Sequence, residues 1–267
     1  MNTNSWLLWV FAFMLTALSA VYQRATGPTY PVKGTVMVGG KNLTFKLPRS
    51  HGGNDDAEIR LLVPDPAVSA TLEYRRHHSD DAWSQRPFAR EGALIVAHIP
   101  RQPMSGQVAY RVLVKGDADG PVVLTSDPVV IRFKGAVPTL FLVAHIVIIF
   151  AGMLLSTRAG LEALRRGPQV YTLSLWAVAG LVVGGVVLGA VVQKYAFGAF
   201  WTGWPFGHDL TDNKTAAAIV FWLWALWRTR KKPTARGWVL AASLVTLAVW
   251  LIPHSVLGSE LEHVDPQ

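Results

Sequence analysis

Five apolar runs constrain this chain more than any motif it carries: Trp6 to Tyr22, Pro138 to Thr157, Val170 to Gln193, Thr215 to Trp227 and Trp238 to Ile252. A bilayer's hydrocarbon core is about 30 Å thick and takes roughly 20 apolar residues per helix, and several of these runs approach or meet that length. The expectation is an α+β membrane protein with about five transmembrane helices, whose first partner is the lipid bilayer. The first run reads as an uncleaved anchor over residues 1–25, although Ala17-Leu18-Ser19-Ala20 also offers the small-residue pattern of a signal-peptide cleavage site. The fourth run is short for a span. Either its polar start is buried in protein, or the helix begins below the membrane surface where a loop lines a cavity.

Charge decides orientation rather than nucleic-acid binding. The formal net charge is +8, but many of the basic residues border the apolar runs. Arg158, Arg165 and Arg166 fall between the second and third runs, and Arg228, Arg230, Lys231, Lys232 and Arg236 between the fourth and fifth. Such clusters mark cytoplasmic loops. The N-terminus is then cytoplasmic, and the segment after the first span, the loop 194–214 and the tail after Ile252 lie outside, in the periplasm of a bacterial inner membrane. The chain has no cysteine, which removes disulfides, thiolate ligands and cysteine nucleophiles.

Between the first and second runs the hydrophobic period changes to two. Gly34 to Val38, Asn42 to Leu47, Ala57 to Val63, Ser69 to Arg75, Ala93 to Ile99, Gln107 to Val114 and Val129 to Phe133 alternate between turns rich in Gly, Pro and Asp. That spacing predicts a β-sandwich over residues 30–135, inserted between helices 1 and 2. The runs TLEYRR, DDAW and AHIPRQPMSGQVAYRVLV resemble fibronectin type III and related immunoglobulin-like modules, in which a proline-rich turn precedes a strand with an inward tyrosine. The resemblance implies a fold and no activity. His77 and His78 are read at a strand end, where neighbouring side chains take opposite faces and do not readily share an ion, and His51 is read in a loop.

The remaining 137–267 form a four-helix membrane region. Its third run carries Gly180, Gly184, Gly185 and Gly189, small residues that let another helix, expected from another subunit, approach closely. His145 lies about seven residues into the second run, roughly 10 Å deep at 1.5 Å per residue, where an ionisable side chain faces a bundle interior or a cavity.

The stretch WTGWPFGHDLTDNKT, Trp201 to Thr215, is the likeliest site by chemistry. With the helix that follows, it resembles the tryptophan-rich WWD segment of the haem-handling proteins of cytochrome c maturation. That resemblance implies haem b, with His145 and His254 as axial ligands and Trp201, Trp204 and Asp209 as its cradle. The Pro-Lys-Glu run that follows the aspartate in that family is absent, since Leu210 to Lys214 stand there. The same residues also suit a zinc or copper ion held by His208, Asp209, Asp212 and His254, with Glu260, Glu262 and His263 in the tail. In a third reading Asp209, Thr211 and Asp212 cap the fourth helix and the aromatics form an interfacial belt. The protein is then an accessory or assembly subunit whose β-sandwich docks a membrane-protein or periplasmic partner. No nucleophile motif and no inverted repeat appears, so neither an enzyme nor a transporter is expected.

Overall fold

The computed structural model describes residues 3–116 and 120–253 of the chain. It separates into two compact units, and of the described residues 29–136 fall in one and 3–28 with 137–253 in the other.

The first unit is built from strands β1 (Val32–Val38), β2 (Lys41–Leu47), β3 (Ser50–Gly52), β4 (Ala57–Leu62), β5 (Ser69–Arg76), β6 (Ser84–Pro87), β7 (Ala89–Glu91), β8 (Leu94–Ile99), β9 (Gln107–Lys115), β10 (Val122–Val123) and β11 (Val129–Lys134). They form a β1-β2 hairpin, a sheet ordered β3-β11-β9-β5-β6 with β10 also on β9, and a sheet ordered β4-β8-β7. Pairing is antiparallel except between β3 and β11. Because strand side chains alternate between faces, the apolar residues spaced two apart turn inward, while neighbours such as Met37 and Leu62 are exposed. Leu47, Ile59, Leu72, Ile99, Val112 and Ile131 from six different strands meet in one core. Tyr110 of β9 lies fully buried in it and donates its hydroxyl to Pro48 O at 2.7 Å. Burial pushes the phenol's pKa up.

Two expectations fail here. His51 sits in strand β3 rather than a loop, its Nε2 donating to Asp55 O at 3.0 Å. His77 and His78 follow β5 in a turn, with His78 at φ 53°, so strand alternation does not apply and the rings stack 3.9 Å apart. Arg76 and Asp81 bracket that turn. The guanidinium's hydrogen bonds hold the Asp81 carboxyl down to about 2.

The second unit is helical: α1 (Thr3–Thr26), α2 (Thr139–Leu164), α3 (Val170–Leu181) continued by a π-helical segment (Val182–Leu188) into α4 (Gly189–Phe197), then α5 (Leu210–Lys231) and α6 (Gly237–Leu251). Among the described residues three stretches are long and apolar enough to cross a membrane: Ser5–Thr26, Thr139–Leu164 and Val170–Phe197. The helix α6 is apolar but shorter.

Glycine sets the central crossing. A Cβ on Gly180 would stand 2.7 Å from the Gly152 Cα, and one on Gly184 would stand 2.7 Å from the Ile149 nitrogen. The glycine face of α3 is therefore covered by α2 of the same chain, not by another subunit, and Gly185 meets Thr215 of α5. Small residues let two backbones touch, and dispersion along the contact replaces a hydrophobic driving force that lipid cannot supply.

The helix α2 also runs past Thr157, where a basic loop was expected. Arg158 is fully buried, as is Glu162 one turn on, and the two pair at 2.7 Å. Arg165 binds both oxygens of the same carboxylate, and the Gln169 N–H donates to it. The Arg158 guanidinium lies 5.4 Å over the Trp9 ring of α1. Charge neutralised one turn away lets Arg158 stay buried within the helical unit, where an unpaired guanidinium would be costly.

Gly180→Leu is expected to destabilise the helical unit by about 1–3 kcal/mol, because the crossing leaves no space for a side chain. Thermal unfolding of the full chain in detergent checks this; a melting temperature equal to that of the unchanged protein would remove the crossing as a source of stability.

Candidate functional site

The helix α4 ends at Gly198, whose φ of 87° is left-handed and whose N–H returns to Lys194 O at 2.9 Å. The chain then folds on itself before entering α5. Phe206 N and Gly207 N donate to Gly203 O at 2.9 and 3.0 Å, and Asp209 N to Thr202 O at 3.0 Å.

Asp209 is the N-cap of α5. Its Oδ1 accepts from Thr211 N at 2.7 Å and from Asp212 N at 3.4 Å, satisfying N–H groups that the helix cannot. The decisive residue is Asp212, three positions later and only 7% exposed. Its Oδ2 accepts from Thr202 N (2.7 Å), Gly203 N (3.0 Å), Gln193 Nε2 (3.0 Å) and Thr202 Oγ1 (3.3 Å). Gln193 also donates to Thr202 Oγ1 at 2.7 Å, so α4, the loop and α5 share one carboxylate. Gly203 has to be glycine, since a Cβ there would lie 2.6 Å from the Asp212 Cβ. Asn213 Oδ1 adds an acceptor for Trp204 N at 2.7 Å.

Lys214 is also buried, and its Nζ donates to Ile252 O at 2.6 Å, just past α6. Gln23 of α1 donates to Trp250 O at 2.6 Å. A cation and an amide thus occupy the carbonyls that α6 leaves unpaired at its C-terminal end, where the helix dipole favours positive charge.

These bonds decide between the readings of the loop. The cradle proposed for haem is spent locally: the Asp209 carboxylate holds helix N–H groups, and Trp201 Nε1 donates to Trp204 O at 3.2 Å. Trp204 is 77% exposed and Phe206 83%, projecting from the loop rather than lining a pocket within it. Among the proposed metal ligands, Asp209 caps the helix, Asp212 is enclosed beneath the loop, His208 is exposed, and His254 lies outside the described residues with Glu260, Glu262 and His263. Among the described residues no three His, Asp or Glu side chains come together as a metal site. Asp209 and Asp212 each accept from two backbone N–H groups, as the capping reading of this stretch requires of Asp209.

His145 is placed differently. Its Nδ1 lies 2.8 Å from Gly184 O in the π-helical segment, and the ring packs 3.6 Å from where a Gly189 Cβ would be. A carbonyl only accepts, so Nδ1 is the donor in this contact and Nε2 is the ring nitrogen left without a partner in it. Sequence reasoning missed Gln193, Thr202, Lys214 and Gln23. A lone amide at the end of an otherwise apolar helix was the available signal for Gln193.

Asp212→Ala is expected to cost about 2–4 kcal/mol by leaving buried donors without an acceptor, and to open the loop 199–209 to protease. Asp212→Asn should restore only part of this, because its amide oxygen can take the Oδ2 position but carries no negative charge to strengthen the four hydrogen bonds. Limited proteolysis followed by mass spectrometry reads the outcome, and a loop equally resistant in D212A would remove the carboxylate from this role.

No protein-family model matches the chain, and no curated protein matches it.

Proposed function

We propose that the protein is an accessory or assembly subunit of a bacterial inner-membrane complex, anchored by five spans and docking its partner through the β-strand unit. The observation that carries this is the Asp212 carboxylate, whose four donors turn the most polar stretch of the chain into a brace between α4 and α5. A loop so closed presents Trp204 and Phe206, together with Phe200, and amphipathic or apolar rings at a membrane boundary are interfacial anchors.

Five spans are supported by the way α5 hides its polar start. Asp212 and Lys214 are buried and bonded, while Val220, Phe221, Leu223 and Trp224 are exposed, as on a lipid-facing surface. Ala12, Thr16 and Ser19 of α1 are buried as well, which supports an anchor that stays with the helical unit. The basic residues at the α2–α3 and α5–α6 turns favour the cytoplasm for those turns, and so the periplasm for the β unit and the loop. The single core shared by its sheets supports an immunoglobulin-like sandwich. Its exposed edge strands β6 and β7 are where a partner's strand adds most readily.

A photo-crosslinking residue in place of Gln85, on β6, is expected to capture a protein in native membranes, and one in place of Phe206 to capture lipid. The chain should also co-purify with that protein in mild detergent. Recovery only as a lone, fully stable species, with no protein adduct from Gln85, would sink the docking role.

The His145 geometry favours one second reading. Nε2, oriented by the Nδ1–H bond to Gly184 O, is the nitrogen that ligates a metal or haem iron, and a carbonyl behind the ring is a common way to hold a ligand histidine. Absorbance of the purified protein, oxidised and then reduced, separates the two readings. The accessory-subunit reading expects a colourless protein that stays so after haem is added. A Soret band lost in a His145→Ala, His254→Ala variant would establish haem handling instead.

A further inference from the structure

At the opposite end of α5 from the loop, the α2–α3 and α5–α6 turns enclose a cavity of about 360 Å³ lined by Gly167, Val170, Tyr171, Thr229, Arg230 and Arg236 among others. Both arginines lack a carboxylate partner among the described residues. The buried carboxylate of this region is already committed: Glu162 takes Arg158, Arg165 and the Gln169 N–H on its two oxygens. Two positive side chains therefore face a cavity that has no counterion of its own.

The backbone adds to that imbalance. The helix α3 begins at Val170, and α6 begins at Gly237 with Arg236 as its N-cap; neither has a side-chain cap. Unpaired N–H groups in a first helical turn carry partial positive charge and favour an anion. Here Val170 and Tyr171 of the α3 turn line the cavity, whereas in the α6 turn Trp238 N and Val239 N already donate to Ala235 O and Arg236 O. The depth is marked independently by a girdle of rings and cations. Trp224 packs at a tilt against Trp227 and edge-on against Trp238, with ring centres 4.8 and 5.9 Å apart, Lys231 Nζ stands 4.5 Å from the Trp227 ring, and Arg228 lies 5.8 Å from Trp227 and 6.0 Å from Trp238. Tryptophan with lysine and arginine at a helix end is the composition of the headgroup layer.

We infer that this cavity binds a phosphate-bearing group at headgroup depth, with Arg230 and Arg236 as its principal cations and the first turn of α3 as a backbone donor. The group comes from an anionic phospholipid or from a free phosphate. The site is separate from the Asp212 loop and from the β unit, so it stands or falls apart from the docking role.

The test uses the full chain in a neutral detergent, titrated with short-chain phosphatidylglycerol, phosphatidylcholine or inorganic phosphate, and read by native mass spectrometry and by thermal shift. The expected result is preferential binding of phosphatidylglycerol, weakened about thirtyfold in Arg230→Ala, Arg236→Ala. Lys231→Ala, Lys232→Ala, which changes as much charge outside the cavity, is expected to cost less than about threefold. Arg230→Gln alone, at an exposed position that leaves the fold untouched, should lose about fivefold and keeps the test valid if the double variant unfolds. Inorganic phosphate that binds with the same sensitivity to both arginines would assign the site to a free phosphate. Equal affinity in the unchanged protein and in Arg230→Gln, or equal losses in the arginine and lysine pairs, would overturn the site.

Discussion

Two buried carboxylates, each shared between elements, hold the helical unit together. Glu162 gathers Arg158, Arg165 and the entry to α3, and through Arg158 reaches Trp9 of α1. Asp212 gathers α4, the loop and the start of α5. The 28-residue helix Val170–Phe197 runs from one to the other, a span of about 42 Å at 1.5 Å per residue. Hydrocarbon supplies no hydrogen bonds, so polar groups in such a unit have to find partners within the protein. A charge placed at either end selects the elements able to supply them.

The glycine crossing works between these two knots. With Gly152 against Gly180 and Gly184 against Ile149, α2 and α3 approach at backbone distance, and the π-helical segment follows directly. Gly184 O accepts from Gly189 N within that segment and also from His145 Nδ1. A polar side chain in the middle of an apolar helix is thereby answered by a carbonyl, and the geometry that answers it fixes which ring nitrogen is engaged. The contact that closes the bundle and the one feature that looks chemical are thus neighbours.

What the sequence disclosed followed from local rules. The seven alternating segments are strands because a half-buried strand needs a period of two, whatever its partners. The short β3, β6, β7 and β10 escaped because edge strands of two to four residues leave no period to read. The glycines of α3 announced a close approach but not its partner, since Gly152 is separated from Gly180 by a turn and carries no complementary signal. Arg158 was misplaced for a physical reason. A basic residue after an apolar run reads as the end of a span, and only the carboxylate at Glu162 reverses that. Asp212 looked like a cap or a ligand because its partners, Gln193 and Thr202, become neighbours only once the loop has folded.

The helix α5 shows how far composition can mislead. Averaged along its length it is barely apolar, with Asp212 and Lys214 near its start and Arg228, Arg230 and Lys231 at its end. Averages treat each residue as though it faced lipid, yet the side chains that meet lipid are those on the outer face. There α5 offers Val220, Phe221, Leu223 and Trp224, while Asp212 and Lys214 turn inward to the loop and to Ile252 O, and Trp222 inward to Thr246 Oγ1 at 2.8 Å. Its basic end reaches the tryptophan girdle, where cations are favoured. A helix so divided keeps its polar residues bonded inside the unit and its apolar ones on the outer face, which an average along its length does not register.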